Sequence, residues 1–213
     1  MKIDKKAMLL YAVTDRTWLN GRSLTEQAEQ AIKAGATLIQ LREKDLSFDE
    51  FVEEAKKMKE VTDRYHIPFI INDNINVALA VGADGVHVGQ SDMAAGDVRT
   101  LLGGDKILGV SAQTVEQAIR AEKNGADYLG VGAVFSTSTK HDAQDVSFQT
   151  LKEICAAVSI PVVAIGGIHE KNILRLRGSG VDGVAVISAI FAKPDIYAAA
   201  KELCALSKEM VTP

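Results

Sequence analysis

Val81-Gly82-Ala83-Asp84-Gly85 runs straight into the apolar segment Val86 to Val88, and the same kind of entry is written three more times. Ala34-Gly35-Ala36 precedes Leu38 to Leu41, Asn124-Gly125-Ala126-Asp127 precedes Tyr128 to Phe135, and Ser179-Gly180-Val181-Asp182-Gly183 precedes Val184 to Ile187. Each glycine stands where a helical segment must end, a position that asks for a left-handed residue. Four further apolar, β-branched runs fall between these: Leu9 to Thr14, Phe69 to Ile71, Ile107 to Val110 and Val162 to Ile165. The glycine entry therefore marks strands two, four, six and eight. In a closed eight-stranded barrel, alternate strands fill the same interior layers, so this period predicts an α/β chain folded as a single (β/α)8 barrel over residues 1–213. An open doubly wound sheet is the competing fold, but its first strand-to-helix turn usually carries a glycine-rich phosphate fingerprint, and Val13-Thr14-Asp15-Arg16 is not one.

Helical segments separate the strands. From Ser47 to Tyr65, Phe48, Phe51, Val52, Ala55, Met58 and Val61 follow 3-4 spacing with charge on the other face. Ser47 is the predicted N-cap, with Glu50 as its capping-box partner. Thr114 and Ser147 are read as caps of two later helices. His66 is placed at a helix exit, His169 at the start of the helix after Gly167, and His87 as a hydrogen-bonded core residue.

With 213 residues, 47% hydrophobic and 24% charged, the chain has the composition of a soluble globular protein. A formal net charge of −4 offers no global attraction to nucleic acid or an acidic membrane, so an anion must be held by local cations. No stretch approaches the roughly 20 apolar residues of a membrane span, and the basic start Met1 to Lys6 lacks the apolar region of a signal peptide. Cys155 and Cys204 lie in helical patterns far apart in sequence, as reduced core thiols would, which points to a cytoplasmic location.

Chemistry-bearing residues gather just after the strands. In an extended strand end, Gln40, Arg42 and Lys44 point to one side. Arginine grips phosphate oxygens bidentately and lysine adds a point charge, a pairing suited to a diphosphate; the plainer alternative is a solvated strand end with a salt bridge to Glu43. Asn72-Asp73-Asn74 and Gln90-Ser91-Asp92 follow the third and fourth strands. Asp73 and Asp92 could share a hard cation such as Mg²⁺, or these Asx residues could simply cap the next helices. Ser136 to Lys140 is a hydroxyl-rich loop with one cation, either a phosphate site or a polar loop. Gly166-Gly167 and Ile187-Ser188 end the last two strands, where this fold often holds a phosphate.

Taken together, Tyr11-Ala12-Val13-Thr14-Asp15, Gln40 to Lys44, Asn72-Asp73-Asn74, His87 to Asp92, Gly109-Val110-Ser111, Thr137 to Lys140 and Gly166-Gly167 resemble the thiamine phosphate synthase family over nearly the whole chain. The resemblance implies a transferase. A 4-amino-2-methyl-5-(diphosphooxymethyl)pyrimidine loses pyrophosphate, and its methylene carbon is captured by the nitrogen of a thiazole phosphate to give thiamine phosphate. Carried over residue by residue, it implies that Gln40, Leu41, Arg42, Glu43, Lys44, Asn72, Ser111 and Lys140 hold the pyrimidine diphosphate, with Arg42, Lys44, Ser111 and Lys140 acting in catalysis. It implies that Thr137, Ser138, Thr139, Gly167, Ile187 and Ser188 hold the thiazole phosphate, and that Asp73 and Asp92 bind one Mg²⁺ per site. Both partners are small phosphorylated molecules; nucleic acid and membrane are not expected, and an oligomeric state is not implied. The chain departs from the family at Ala133 and Ser136, where proline is frequent. Two rival functions remain on sequence grounds: a thiazole tautomerase, which shares the barrel and phosphate end but needs no diphosphate site, and a non-catalytic sensor of thiamine precursors.

Overall fold

The computed structural model describes residues 3–89, 95–136 and 145–212. Eight parallel strands close into one barrel in sequence order: β1 (Leu10–Val13), β2 (Leu38–Leu41), β3 (Phe69–Asn72), β4 (Gly85–Val88), β5 (Ile107–Ala112), β6 (Tyr128–Val131), β7 (Val162–Ile165) and β8 (Gly183–Val186). Closure is made by β1, which pairs with β2 on one side and with β8 on the other. Around the barrel lie α1 (Leu24–Lys33), α2 (Phe48–Tyr65), α3 (Ile75–Val81), α4 (Ala95–Leu102), α5 (Val115–Lys123), α6 (Phe148–Ala157), the single turn α7 (Ser188–Phe191) and α8 (Ile196–Val211). The expected closed barrel is the observed one.

Local signals explain the element starts. Ser47 caps α2 in a full capping box with Glu50, and Ser23 does the same for α1 with Glu26. Thr114 and Ser147 accept the N–H groups of Gln117 and Thr150 at the starts of α5 and α6. Each of these contacts satisfies a helix donor that would otherwise be orphaned, typically worth about 1 kcal/mol. Gly35, Gly82, Gly125 and Gly180 all have positive φ, as the repeated entry requires.

The aspartates of that entry have a second task. Asp84, Asp127 and Asp182, each just ahead of an even-numbered strand, accept the N–H of Phe69, Leu108 and Val162 on the preceding strand, at 2.8, 2.9 and 3.0 Å. Thr37 Oγ1 accepts the N–H of Leu10 in the same way at 2.9 Å. The lower rim is therefore clasped at four like places, within the pairs β1–β2, β3–β4, β5–β6 and β7–β8.

Two apolar layers result. One lies between barrel and helices, with Leu41, Ile39, Ile71 and Val86 fully buried in it. The other fills the barrel, where Tyr11, Val13, Leu38, Ile70, Ile107, Tyr128, Val163 and Ala185 meet, joined by Ile3 and Met8 from the segment ahead of β1. The inner layer leaves no pore, so ligands must meet the chain at a rim.

Two details differ from the sequence reading. The regular part of β6 stops at Val131 rather than Phe135; beyond it the backbone still bonds to the β7 end, Val134 N to Ile165 O at 3.0 Å and Phe135 N to Gly166 O at 3.1 Å. His169 does not begin a helix. The segment after β7 forms only a 3₁₀ turn, Ile173–Leu176, because Asn172 bridges His169 N and Gly167 O and folds the chain back on itself.

Candidate active site

The C-terminal rim brings the strand-end residues together, beginning with β1 and β2. Two crossed ion pairs lock the loops that follow these strands. Arg42 Nη1 lies 3.0 Å from Asp15 Oδ2, while Asp15 Oδ1 accepts the N–H of Thr17. Arg16 Nε lies 2.7 and 2.8 Å from the two oxygens of Glu43; only the approach to Oε2 has hydrogen-bond geometry, which leaves Oε1 buried without a hydrogen bond of its own. Arg42 N also donates to Thr14 Oγ1 at 3.2 Å. Arg42 is thus oriented by Asp15, not by Glu43, and its remaining donors are those a phosphate could use. Lys44 is exposed and makes no ion pair among the described residues. Leu41 turns its side chain into the outer core, so only its backbone is on the strand line of Gln40 and Arg42.

Burial raises the Glu43 carboxyl above its ordinary range, and the Arg16 guanidinium offsets that rise. Removing the arginine leaves a buried carboxylate uncompensated. Arg16→Ala is expected to cost about 1–3 kcal/mol at pH 7, the usual penalty of an orphaned buried polar group. A raised folded-state pKa means that the native state holds its proton more tightly, so stability falls as pH rises through that value. The deficit against wild type should therefore shrink as pH is lowered from 7 toward the ordinary carboxylate range. Urea unfolding of both chains at several pH values checks this, and a deficit independent of pH would argue against it.

At the end of β3 the Asx residues divide their work. Asn74 is the N-cap of α3, accepting the N–H of Val77 at 3.0 Å. Asp73 is not a cap: it is exposed, has a φ of 60°, takes the Asn72 amide at 2.6 Å on Oδ2, and joins β4 through its own N–H to His87 O. Its carboxylate is a hard oxygen donor at the rim. Gln90, Ser91 and Asp92 lie outside the described residues.

Below the rim, inside the barrel, Gln40, Tyr11, Tyr128, His87 and Ser111 are linked by consecutive hydrogen bonds. The register explains how. His87, Gly109 and Tyr128 are partners on three adjacent strands, and a Cβ on Gly109 would stand 2.2 Å from Tyr128 Cζ, so only glycine leaves space for that ring to reach His87. Tyr11 comes from the opposite side. Burial holds both phenols well above their ordinary pKa, so they stay protonated.

On the β6 to β8 side, a Cβ on Gly167 would stand 2.4 Å from Ser136 O and 2.7 Å from Phe135 O, so this glycine lets the loops after β6 and β7 approach closely. Half-buried Ile187 and exposed Ser188 lead into α7, after β8. Thr137, Ser138, Thr139, Lys140 and His141 lie outside the described residues. The structure therefore gathers Gln40, Arg42, Lys44, Asn72, Asp73, Ser111, Gly167, Ile187 and Ser188 at one end of the barrel.

Sequence reasoning missed Asp15 as the partner of Arg42, and the two tyrosines as a bridge across the interior. Their signal was present: a tyrosine at an inward strand position, with an inward glycine on the adjoining strand. Cys155 offers no rival chemistry, since burial pushes its thiol up to about 12. Among the described residues no group of three or more His, Cys, Asp or Glu forms a metal cluster.

Comparison with known proteins adds three findings. The family model described as thiamine monophosphate synthase matches residues 10–190. The thiamine-phosphate synthases of Clostridium tetani and Ruminiclostridium cellulolyticum are 54% and 56% identical, covering 94% and 91% of this chain and 96% and 92% of theirs. The solved thiamine phosphate pyrophosphorylase of Pyrococcus furiosus superposes with a TM-score of 0.90 at 38% identity, over 98% of this chain and 99% of that one.

Proposed function

Since the chain belongs to the thiamine monophosphate synthase family and is a transferase of thiamine biosynthesis, we propose that its barrel rim joins 4-amino-2-methyl-5-(diphosphooxymethyl)pyrimidine to a thiazole phosphate, releasing pyrophosphate. The observation that carries the site assignment is the convergence of a pre-oriented arginine, an exposed lysine and an exposed aspartate above a buried polar floor, all at the C-terminal ends of β2 and β3.

Each residue then has a physical role. Arg42, steadied by Asp15, and Lys44 bind the diphosphate and lower the energy of the charge that collects on it as it departs. Asn72 supports the same group and holds Asp73 in place. Asp73 fits a magnesium ligand on its own chemistry, as an exposed carboxylate with hard oxygens, and Asp92 would complete the protein share of the site. Mg²⁺, when bound there, supplies charge neutralisation to the leaving diphosphate. Gln40 and Ser111 orient the pyrimidine, whose amino group can spread a developing positive charge into the ring, so no covalent nucleophile is needed. Gly167, Ile187 and Ser188, with Thr137, Ser138 and Thr139 of the segment that follows β6, hold the thiazole phosphate at the loops after β6, β7 and β8, where close backbone approach and the start of α7 favour an anion, and Lys140 of the same segment joins Arg42 and Lys44 on the diphosphate.

Residues 1–213 act as one domain in this reading, supported by β1 pairing with β8. No described helix is long and apolar enough to cross a membrane. The two cysteines are unpaired, which agrees with a cytoplasmic setting.

Incubating the purified chain with both precursors and Mg²⁺ should give thiamine phosphate and pyrophosphate in equal amounts. Arg42→Ala should raise the KM for the pyrimidine diphosphate roughly 10- to 100-fold, as the loss of charge-assisted bonds of about 1.5–3 kcal/mol implies. The KM for the thiazole phosphate should stay within about twofold. Equal changes for both substrates would count against the assignment.

A further inference from the structure

The line of hydrogen bonds under the rim runs through five side chains on five strands: Gln40 Nε2 to Tyr11 OH at 2.5 Å, Tyr11 OH to Tyr128 OH at 2.8 Å, Tyr128 OH to His87 Nδ1 at 3.0 Å, and His87 Nε2 to Ser111 Oγ at 3.0 Å. Tyr11 and Tyr128 are 1% and 0% exposed, so water does not interrupt the line. A phenol has one proton to give, and an imidazole with one accepting nitrogen has one on the other. A member that receives from one side must therefore give to the other.

The direction follows from one end. Gln40 turns its amide nitrogen to Tyr11, so Tyr11 donates to Tyr128 and Tyr128 donates to His87 Nδ1. His87 then carries its proton on Nε2 and donates to Ser111, whose own hydroxyl proton is left to be given to a ligand or another acceptor. At the other end Gln40 keeps its Oε1, which takes no hydrogen bond among the described residues, as an acceptor for a ligand. The two ends have opposite sense, and neither can reverse unless the whole line does.

We propose that this line sets the hydrogen-bond polarity of the pyrimidine subsite, with Tyr11, Tyr128 and His87 as positioning residues that act through Gln40 and Ser111. It selects a ring that brings an amino donor to Gln40 and rejects the 4-oxo analogue, which brings an acceptor to the same atom. The inference rests on the pyrimidine diphosphate reading above. Tyr128→Phe cuts the line at its centre. The short Gln40–Tyr11 remnant can then reverse, with Tyr11 donating to Oε1 and the amide nitrogen turned to the ligand, and discrimination is lost.

The test measures binding without turnover: calorimetry of the full chain with Mg²⁺ and the unreactive monophosphates of the 4-amino and 4-oxo pyrimidines. Wild type should prefer the amino ligand by about 30-fold or more, since an unpaired polar group at a ligand edge discriminates strongly. Tyr128→Phe and Tyr11→Phe should each bring that ratio to within about threefold while leaving thiazole phosphate affinity within twofold. If both ligands weaken together and the ratio stays at its wild-type value, the tyrosines only fill space and the proposal is overturned. Should neither phenylalanine variant fold, the ¹⁵N resonances of the His87 ring in wild type decide, assigned by their loss in His87→Gln: an Nε2–H tautomer supports donation from Gln40 toward Ser111, and an Nδ1–H tautomer overturns it. If wild type binds neither pyrimidine, the substrate reading itself fails and takes this inference with it, an outcome distinct from an unchanged ratio.

Discussion

Asp73→Asn is expected to lower turnover about 100-fold at limiting Mg²⁺ while leaving the barrel folded. Metal assistance to a leaving group is worth several kcal/mol, and about 3 kcal/mol of it corresponds to roughly that factor. Stability should not follow, for three reasons. Asp73 is exposed, it is not the cap of α3, and its φ of 60° is one that asparagine also adopts readily. The oxygen that takes the Asn72 amide survives the exchange in kind. Raising Mg²⁺ should restore part of the rate, because the variant weakens the ion's hold and keeps one oxygen donor. Steady-state rates across a Mg²⁺ series, read beside a thermal melt, make the test. Wild-type turnover at low Mg²⁺ would mean that Asp73 has no part in holding the ion.

Gly109→Ala should be strongly destabilising. Its Cβ would lie 2.2, 2.3 and 2.5 Å from Cζ, the hydroxyl oxygen and Cε1 of Tyr128. The strand cannot yield, being paired on both sides to β4 and β6. Nor can the ring move freely: it is fully buried, and its hydroxyl bonds both Tyr11 and His87. Overpacking together with a broken buried hydrogen bond costs about 3 kcal/mol, and for a chain of this size that lowers Tm by roughly 6–12 °C. Gly104→Ala is the matched control, since nothing lies within 4 Å of its added carbon. The two melts should differ by most of that interval, and coincident melts would show that Tyr128 has room to shift.

The barrel is legible in the sequence because its signals are local. A glycine at the end of a helix, a β-branched run after it, and a serine or threonine ahead of the next helix each act within a few residues, and their recurrence counts the strands. The strand-end charges were readable for the same reason. What lay beyond reach depends on pairs distant in sequence. Arg42 finds Asp15 only because β1 and β2 are neighbours with a fixed register. The tyrosine bridge needs Tyr11 and Tyr128 to face each other across a closed cylinder, a relation no periodicity encodes. The aspartates of the glycine entry were visible as a repeated letter, but their task, catching the N–H of the preceding strand, appears only once that strand is alongside.

Those clasps bear on how such a chain can change over time. Because the same fastening stands at the foot of every second strand, the repeating module is a quarter barrel of two clasped strands and the segments that follow them, with a common base and an individual top. Arg42, Asp73, Ser111 and Gly167 belong to the tops. A descendant could exchange any of them, and with them its substrate, while inheriting the base unaltered.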